Sequence, residues 1–474
     1  MNHSNRICAL FGAMTLMALA SPLAWAAKGG DAAKTTPAAQ VTTEADLRTQ
    51  SPGTAANSPL TELFQTDSVA AVSGDTAAVV VKRGRRVMGL FTGPMSKEVY
   101  VYKRTLGAWS VQAVLVASDP AEGMAYGSSI ALRGDTLVVG VDNPAPASLD
   151  GSTPANPAAI KGAYVYQRVG SNWIEATRLV GTDALTTSYN HGSRVAISGS
   201  TIVIGAAGGE RVSCSPVTTT FACSTLERRA GRLFVFDRNA LGIWAQTASL
   251  TVQSPHGALF ALDGNTLVVP EFETVTGTGM YAGTTIGHAA VYQRTSGLWS
   301  RQATLTSADQ TTLAQLTDPV NVPTAIHGLF VGSMPFSGPA LQGDRLLVPG
   351  GDYSVIGGGP GLKAALYVFQ RTGNTWSAQG RITPAASSTG DGFARSMAFS
   401  GRAVLVNYSA GARKVSLFAQ AADGTWNESV INSPGRPIGQ NVDFFGETIA
   451  LDGGTALVTQ PQTRALVYRL TFTP

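Results

Sequence analysis

Charge is scarce in this sequence: Asp, Glu, Lys and Arg make up 14% of the residues, and the formal charge is only +4. So small a surplus leaves no nucleic-acid footprint. Long apolar runs are also missing. Beyond the first two dozen or so residues nothing approaches the roughly eighteen consecutive apolar residues that a spanning helix needs. The only cysteines are Cys8, Cys214 and Cys223, with no CxxC spacing to suggest a metal ribbon or a dithiol. Catalytic signatures are absent too: there is no GxSxG elbow, HExxH helix or Walker loop, and the run from Gly357 to Gly361 lacks the Lys-Ser/Thr that would let it cradle phosphate.

What is present begins with an export signal. Arg6 is followed by an almost wholly apolar run from Ile7 to Ala20, a break at Ser21 and Pro22, and the small-x-small pattern Ala24-Trp25-Ala26. Residues 1–26 are therefore read as a signal peptide cleaved after Ala26, which places the mature chain in the periplasm or at the surface of a Gram-negative bacterium. Cys8 lies inside the apolar run and not at the cleavage point, so a lipid anchor is not expected. Residues 27–41, rich in Ala, Gly, Thr and Pro, read as a flexible leader. Loss of Cys8 leaves Cys214 and Cys223, which in an oxidising compartment are expected to close a small disulfide loop.

The rest of the chain, 42–474, is an internal repeat. An alternating strand, a Gly turn and a strongly apolar strand run from Ile130 to Gly140 and return from Val195 to Gly205 almost letter for letter. The turn glycines are Gly74, Gly134, Gly199, Gly264, Gly343, Gly401 and Gly453, separated by between 52 residues (Gly401 to Gly453) and 79 (Gly264 to Gly343). Constant local sequence with variable spacing means a fixed unit carrying loops of different length. A third strand, such as Val99 to Arg104 or Ala163 to Arg168, alternates aromatic and β-branched residues. A fourth begins at Trp109, Trp173, Trp244, Trp299, Trp376 and Trp426.

Four antiparallel strands repeated in this way predict an all-β fold: a seven-bladed β-propeller, each four-stranded blade burying its apolar faces on its neighbours. The last unit ends after its third strand. The small-x-aliphatic pattern Ala45-Asp46-Leu47 matches Ala113-Val114-Leu115 of a fourth strand, so an N-terminal strand over Thr42 to Thr49 is expected to close the last blade.

Tyr126-Gly127, the Gly-Asp-Thr turn, Val138-Val139-Gly140 and the Tyr-Val-Tyr and Trp strands resemble the bacterial FG-GAP repeat proteins, of the same broad class as the integrin α-chain head. Phe444-Phe445-Gly446 is the nearest copy of the Phe-Gly element. The resemblance implies a propeller; it does not imply an activity, because propellers host binders, scaffolds and enzymes. Calcium-binding members carry a DxDxDG-type loop between the first two strands. Here that connection is Arg133-Gly134-Asp135-Thr136 or Ser198-Gly199-Ser200-Thr201, with too few acids for such a site. No metal or other cofactor is therefore expected, and Asp75, Asp135 and Asp344 read as turn formers.

Candidate functional residues come from loop position. The turns from first to second and from third to fourth strand are short, whereas the connections on the other face carry every insertion, and variable loops on a rigid scaffold are where recognition resides. Near the starts of those loops lie Asp142, Glu210, Glu271, Glu273 and Asp352, either as part of a polar or cationic ligand site or as solvated loop residues. Tyr281 and Tyr353 in the same loops are candidates for stacking on sugars or peptides. The basic cluster Arg83, Arg85 and Arg86 reads as a loop, solvated or facing a polyanion. His191 and His256 occupy the aromatic position of the repeat, as packing residues or catalysts. His288 and His327 read as loop residues without a carboxylate partner at a fixed offset. The expectation is a monomeric, non-enzymatic binding module for a protein or glycan. A polysaccharide-acting enzyme using the rim carboxylates, or a structural envelope component, are the alternatives.

Overall fold

The computed structural model describes residues 39–47, 62–87, 90–119, 126–141, 162–182, 191–206, 209–217, 220–252, 259–279, 281–282, 284–318, 323, 325–330, 337–354, 361–385, 392–408, 413–435, 443–461 and 464–472. Residues 1–26, expected to be a signal segment, and residues 27–38 lie outside them, as do Asp142 and His256. No described helix is long and apolar enough to cross a membrane.

The elements run in repeat order. β1 (Ala39–Asp46) precedes a first set, β2 (Glu62–Ser73), β3 (Thr76–Val87), β4 (Leu90–Thr105) and β5 (Ala108–Leu115). A second set is β6 (Tyr126–Arg133), β7 (Thr136–Val141), β8 (Gly162–Val169) and β9 (Asn172–Leu179). The third is β10 (His191–Ser198), β11 (Thr201–Ala206), the inserted hairpin β12 (Gly209–Val217) and β13 (Thr220–Arg229), then β14 (Gly231–Arg238) and β15 (Trp244–Val252). The fourth is β16 (Ala261–Asp263), β17 (Thr266–Thr274), a short β18 (Gly277–Gly279), β19 (Thr285–Thr295) and β20 (Leu298–Leu305), followed by helix α1 (Leu313–Thr317) and β21 (Ile326–Leu329). The fifth is β22 (Ala340–Gln342), β23 (Arg345–Ser354), β24 (Gly361–Thr372) and β25 (Thr375–Ile382). The sixth is β26 (Phe393–Ser400), β27 (Ala403–Tyr408), β28 (Lys414–Gln420) and β29 (Trp426–Asn432), and the chain ends with β30 (Ile449–Asp452), β31 (Thr455–Gln460) and β32 (Arg464–Phe472).

Every strand pairing is antiparallel. The first, second, third and sixth sets each form a four-stranded sheet, and β30, β31 and β32 form another with β1. The fourth and fifth sets are fused by β21 into one nine-stranded sheet, and β12, β13 and β18 make a separate three-stranded sheet. The fusion was not legible in the repeat, because β21 belongs to the insertion between repeats. The first strands touch in chain order from β2 through β6, β10, β16, β22 and β26 to β30, which returns to β2.

Second and third strands are sealed from solvent. Val79, Val80, Leu137, Val138, Ile202, Val203, Val404 and Leu405 are all buried, so adjacent residues pointing to opposite faces both find apolar neighbours. The clusters alternate between sheets: Val138 and Val165 of one join Ile202 and Phe234 of the next, and Val79 and Tyr100 join Leu457 and Val467 of the last. The turn glycines from Gly74 to Gly453 share the left-handed backbone, at φ of 54° and 55° for those two, a conformation that disfavours any Cβ.

β1 pairs with β32 in the register Val41 to Leu470 and Ala45 to Val467. It begins at Ala39, three residues before the expected Thr42, because Ala39 is buried against the last sheet; Ala39 to Val41 belong to the strand and not to the leader. The turn acids have a further role. Asp75, Asp135 and Asp344 accept from Nε of Arg104, Arg168 and Arg371, at 2.6, 2.7 and 2.7 Å. The same guanidinium groups reach back to a threonine of the preceding sheet: Arg104 to Thr455, Arg168 to Thr76 and Arg371 to Thr266.

Candidate functional site

Several expected loops are extensions of strands. The hydrogen-bond ladder of β3 continues past its apolar core as far as Val87, so Arg83, Arg85 and Arg86 lie on a strand opposite Phe64 and Glu62 of β2 and Ser96, Thr92 and Phe91 of β4. Glu210 likewise sits on β12, opposite Arg228. Cys214 and Cys223 are direct register partners across the β12–β13 hairpin. Opposed residues of an antiparallel pair have the Cα separation that a disulfide bridges.

The largest departure concerns Glu271, His288, His327 and Asp352. All four lie on strands, and they form two cross-strand pairs. Glu271 of β17 is the register partner of His288 on β19, and His327 of β21 is the register partner of Asp352 on β23. His288 Nε2 stands 2.8 Å from Glu271 Oε2, and His327 Nδ1 stands 2.8 Å from Asp352 Oδ1. The two histidines therefore have the carboxylate partners that the sequence reading denied them. Their offsets, 17 and 25 residues, are set by the lengths of the connections and follow no fixed motif.

An arginine from the fourth strand completes each pair. Arg301 Nη2 lies 2.9 Å from Glu271 Oε2, and Arg381 Nη1 lies 3.0 Å from Asp352 Oδ1. Glu271 is buried, and its burial alone would raise the carboxyl pKa. The His288 hydrogen bond and the Arg301 charge outweigh that effect and hold it below its ordinary value of 4.5. Asp352 follows the same balance: burial raises it, His327 and Arg381 prevail, and the net shift is downward from 3.8. Both groups are thus carboxylates at neutral pH.

β21 is what brings the two clusters into one sheet. It pairs with β19 through Gly287 and Leu329, and with β23 along its length. Gln310 staples it, accepting from Leu329 N at 3.2 Å and donating to Gly287 O at 3.1 Å. Helix α1 is fixed by a capping box of Thr312 and Gln315. Tyr281 is buried with Leu316 and Ile326, and its hydroxyl donates to Pro323 O at 2.8 Å. It supports the insertion and is not a free stacking surface. Tyr353 is half-buried beside it, and Glu273 is exposed on β17.

Asp309, exposed, joins His327 and Asp352 so that one ligand atom from each lies within 4.8 Å of the others. Such a set offers a cation three ligands. An ion binding there would share Asp352 with Arg381 and would take the His327 nitrogen from its carboxylate partner, so the arrangement is first an ion-pair network.

The sequence model of the FG-GAP repeat matches residues 109–153, the segment that holds β5, β6 and β7. No curated protein matches the chain. Among solved structures the chain is similar to one from the mitotic checkpoint complex, at 12% identity over 96% of this chain and 100% of that chain, with a TM-score of 0.45. It is also similar to the WD40 domain of SCAP from fission yeast, at 9% identity over 91% of this chain and 98% of that one, with a TM-score of 0.36. A third is an α-L-arabinofuranosidase of Fusarium graminearum in complex with arabinobiose, at 8% identity over 71% and 89% of the two chains and a TM-score of 0.36. With its FG-GAP repeat and four-stranded antiparallel sheets, the chain resembles the FG-GAP β-propellers.

Proposed function

We propose that this chain is an exported seven-bladed β-propeller that binds a protein or glycan through the face carrying its longer connections, without catalysing a reaction. The seven-bladed reading is supported by the cycle of first-strand contacts from β2 to β30 and back, with the fused sheet counted as two blades joined by β21. Export is supported by the leader pattern ending at Ala26 and by two cysteines placed opposite each other on one hairpin.

The observation that carries the binding reading is the pairing of two of the rim carboxylates, Glu271 and Asp352, each with a histidine and an arginine. Hydrolysis of a glycosidic bond by two carboxyl groups needs one of them held protonated near neutral pH as the general acid. Glu271 and Asp352 are both pushed the other way by a histidine and an arginine. What they offer a ligand is a fixed set of charged donors and acceptors on a rigid sheet, the form that a recognition surface takes.

The test measures retention and hydrolysis in parallel on a panel of glycans and envelope proteins. The wild-type chain is compared with Asp352→Asn and His327→Gln, whose folding is checked by thermal melting. Retention without product, weakened in the variants, supports the reading. Product formation that disappears in Asp352→Asn overturns it in favour of a polysaccharide-acting enzyme.

A further inference from the structure

Where the first strands converge, they enclose a cavity of about 370 Å³. Its lining includes Ala70 of β2, Ser129 of β6, Arg194 of β10, Gly338 ahead of β22, Arg395 of β26 and Thr448 ahead of β30. The β6, β10 and β26 residues stand several positions before the turn into the second strand. The cavity therefore lies toward the end of these strands that faces the longer connections.

The polar groups of this cavity do not balance. The Arg194 side chain makes no hydrogen bond or ion pair with any described residue, while its backbone is paired with Gly205 on β11. Burial, with no carboxylate to offset it, lowers its pKa. Its guanidinium reaches Gly338, the residue after Ser337: Nη2 lies 3.6 Å from the point where a Cβ on Gly338 would sit. Ser193 and Ser337 also line the cavity, and the Oγ of each finds no hydrogen-bond partner in the protein. Arg395 adds a second cation, exposed at the lining. The carboxylate among the described lining residues, Glu447, is already held by Arg413 at 3.3 Å.

A guanidinium half-withdrawn from water and left without an anion is unfavourably placed, and the packing of the first strands does not require one there. Its planar fork of N–H donors matches a carboxylate or a phosphate two bonds at a time. Two unused hydroxyls are further donors for the same oxygens, and the volume falls in the range of small-ligand sites. We propose that this cavity is a binding site for a small oxyanion, the carboxylate of an organic acid or a phosphate, held by Arg194 with Ser193 and Ser337. The site is separate from the Glu271 and Asp352 clusters and does not depend on their role.

Calorimetric titration of the full mature chain with inorganic phosphate and, separately, with succinate tests the assignment and distinguishes the two sources of oxyanion. Saturable binding of at least one probe is expected at one site per chain, weakened about ten-fold or more by Arg194→Met and by Arg194→Lys, which keeps the charge but loses the fork. Arg395→Met, at the exposed lining, should weaken it less. The same probe should raise the melting temperature of the wild type and leave that of Arg194→Met unchanged. If Arg194→Met does not fold, the Ser193→Ala/Ser337→Ala pair replaces it and should also weaken binding. Absence of saturable binding of both probes up to about 10 mM, or equal binding by wild type and Arg194→Lys, overturns the proposal.

Discussion

The backbone N–H of Gly74 donates to Asp452 Oδ2, 2.8 Å away and 378 residues later in the chain. The same contact links successive repeats: Gly134 N to Ser73 Oγ at 3.1 Å, Gly264 N to Ser198 Oγ at 2.8 Å, Gly343 N to Asp263 Oδ2 at 2.6 Å and Gly453 N to Ser400 Oγ at 2.9 Å. In each case the acceptor stands just before the turn glycine of the preceding repeat. Gly74 to Asp452 is that contact made between the two ends of the repeat series. It works only if the last sheet is complete, which requires β1.

Deleting residues 39–46 should therefore destabilise the fold by more than about 4 kcal/mol, since it exposes the edge of β32 and removes Ala39 and Val41 from the core of the last sheet. Deleting residues 28–36 should leave the melting temperature unchanged. The single change Glu44→Ala removes the partner of Arg104 at 2.9 Å and of Arg469 at 3.3 Å, and should cost about 1.5 to 3 kcal/mol in urea unfolding.

The Phe-Gly element makes a steric prediction. Gly192 has φ of 96°, and a Cβ there would lie 2.4 Å from Gly162 O and 2.5 Å from Val141 O, both backbone atoms. Gly192→Ala should therefore cost more than about 3 kcal/mol. The corresponding position of the sixth repeat is Ala394, at φ of 63°. Ala394→Gly relieves left-handed strain but deletes a fully buried methyl and frees the unfolded chain, so it should change stability by less than about 1 kcal/mol, far less than Gly192→Ala.

Stability should depend on pH through the two carboxylates. Their folded pKa values lie below the ordinary 4.5 of Glu271 and 3.8 of Asp352. Their contribution is thus complete above the unfolded values and is lost as pH falls through the lowered folded ones. Asp352→Asn should cost about 1 to 2 kcal/mol at neutral pH, and the difference from wild type should shrink as the pH is taken from about 6 to about 3. A gap that stays constant over that range would mean that the pairing with His327 and Arg381 contributes nothing.

The chain without residues 1–26, directed to the periplasm of a Gram-negative host, should contain no free thiol under denaturing conditions, with Cys214 joined to Cys223 across the β12–β13 hairpin. Reduction should loosen the inserted hairpin by about 2 to 3 kcal/mol and leave the repeat sheets folded. Two titratable thiols in the exported protein would count against the pairing.

Most of the scaffold was legible because each repeat states its strands twice, once in the apolar pattern and once in the Gly turn and Trp markers. Leu47 and Ala45 revealed the closing strand, with an error of three residues at its start. What escaped was everything set by the insertions. β21 carries no repeat signature, so the fusion of two sheets and the place of His327 were hidden. Strand ends were read where apolar residues stop, yet hydrogen-bond ladders run on through Lys82 to Val87 and through Glu271 to Thr274, where polar residues enter the strands. Tyr281 looked like a free loop aromatic because burial by α1 and β21 depends on chain far from it.

The central claim, recognition without catalysis, is tested most directly by equilibrium binding and product release measured together on the same glycan and envelope-protein panel. At least one ligand should bind the wild-type chain with no product formed, and Asp352→Asn should weaken that binding about ten-fold, equivalent to about 1.4 kcal/mol. Product that forms with the wild type and vanishes with Asp352→Asn, or binding indifferent to that change and to His327→Gln, would contradict the account.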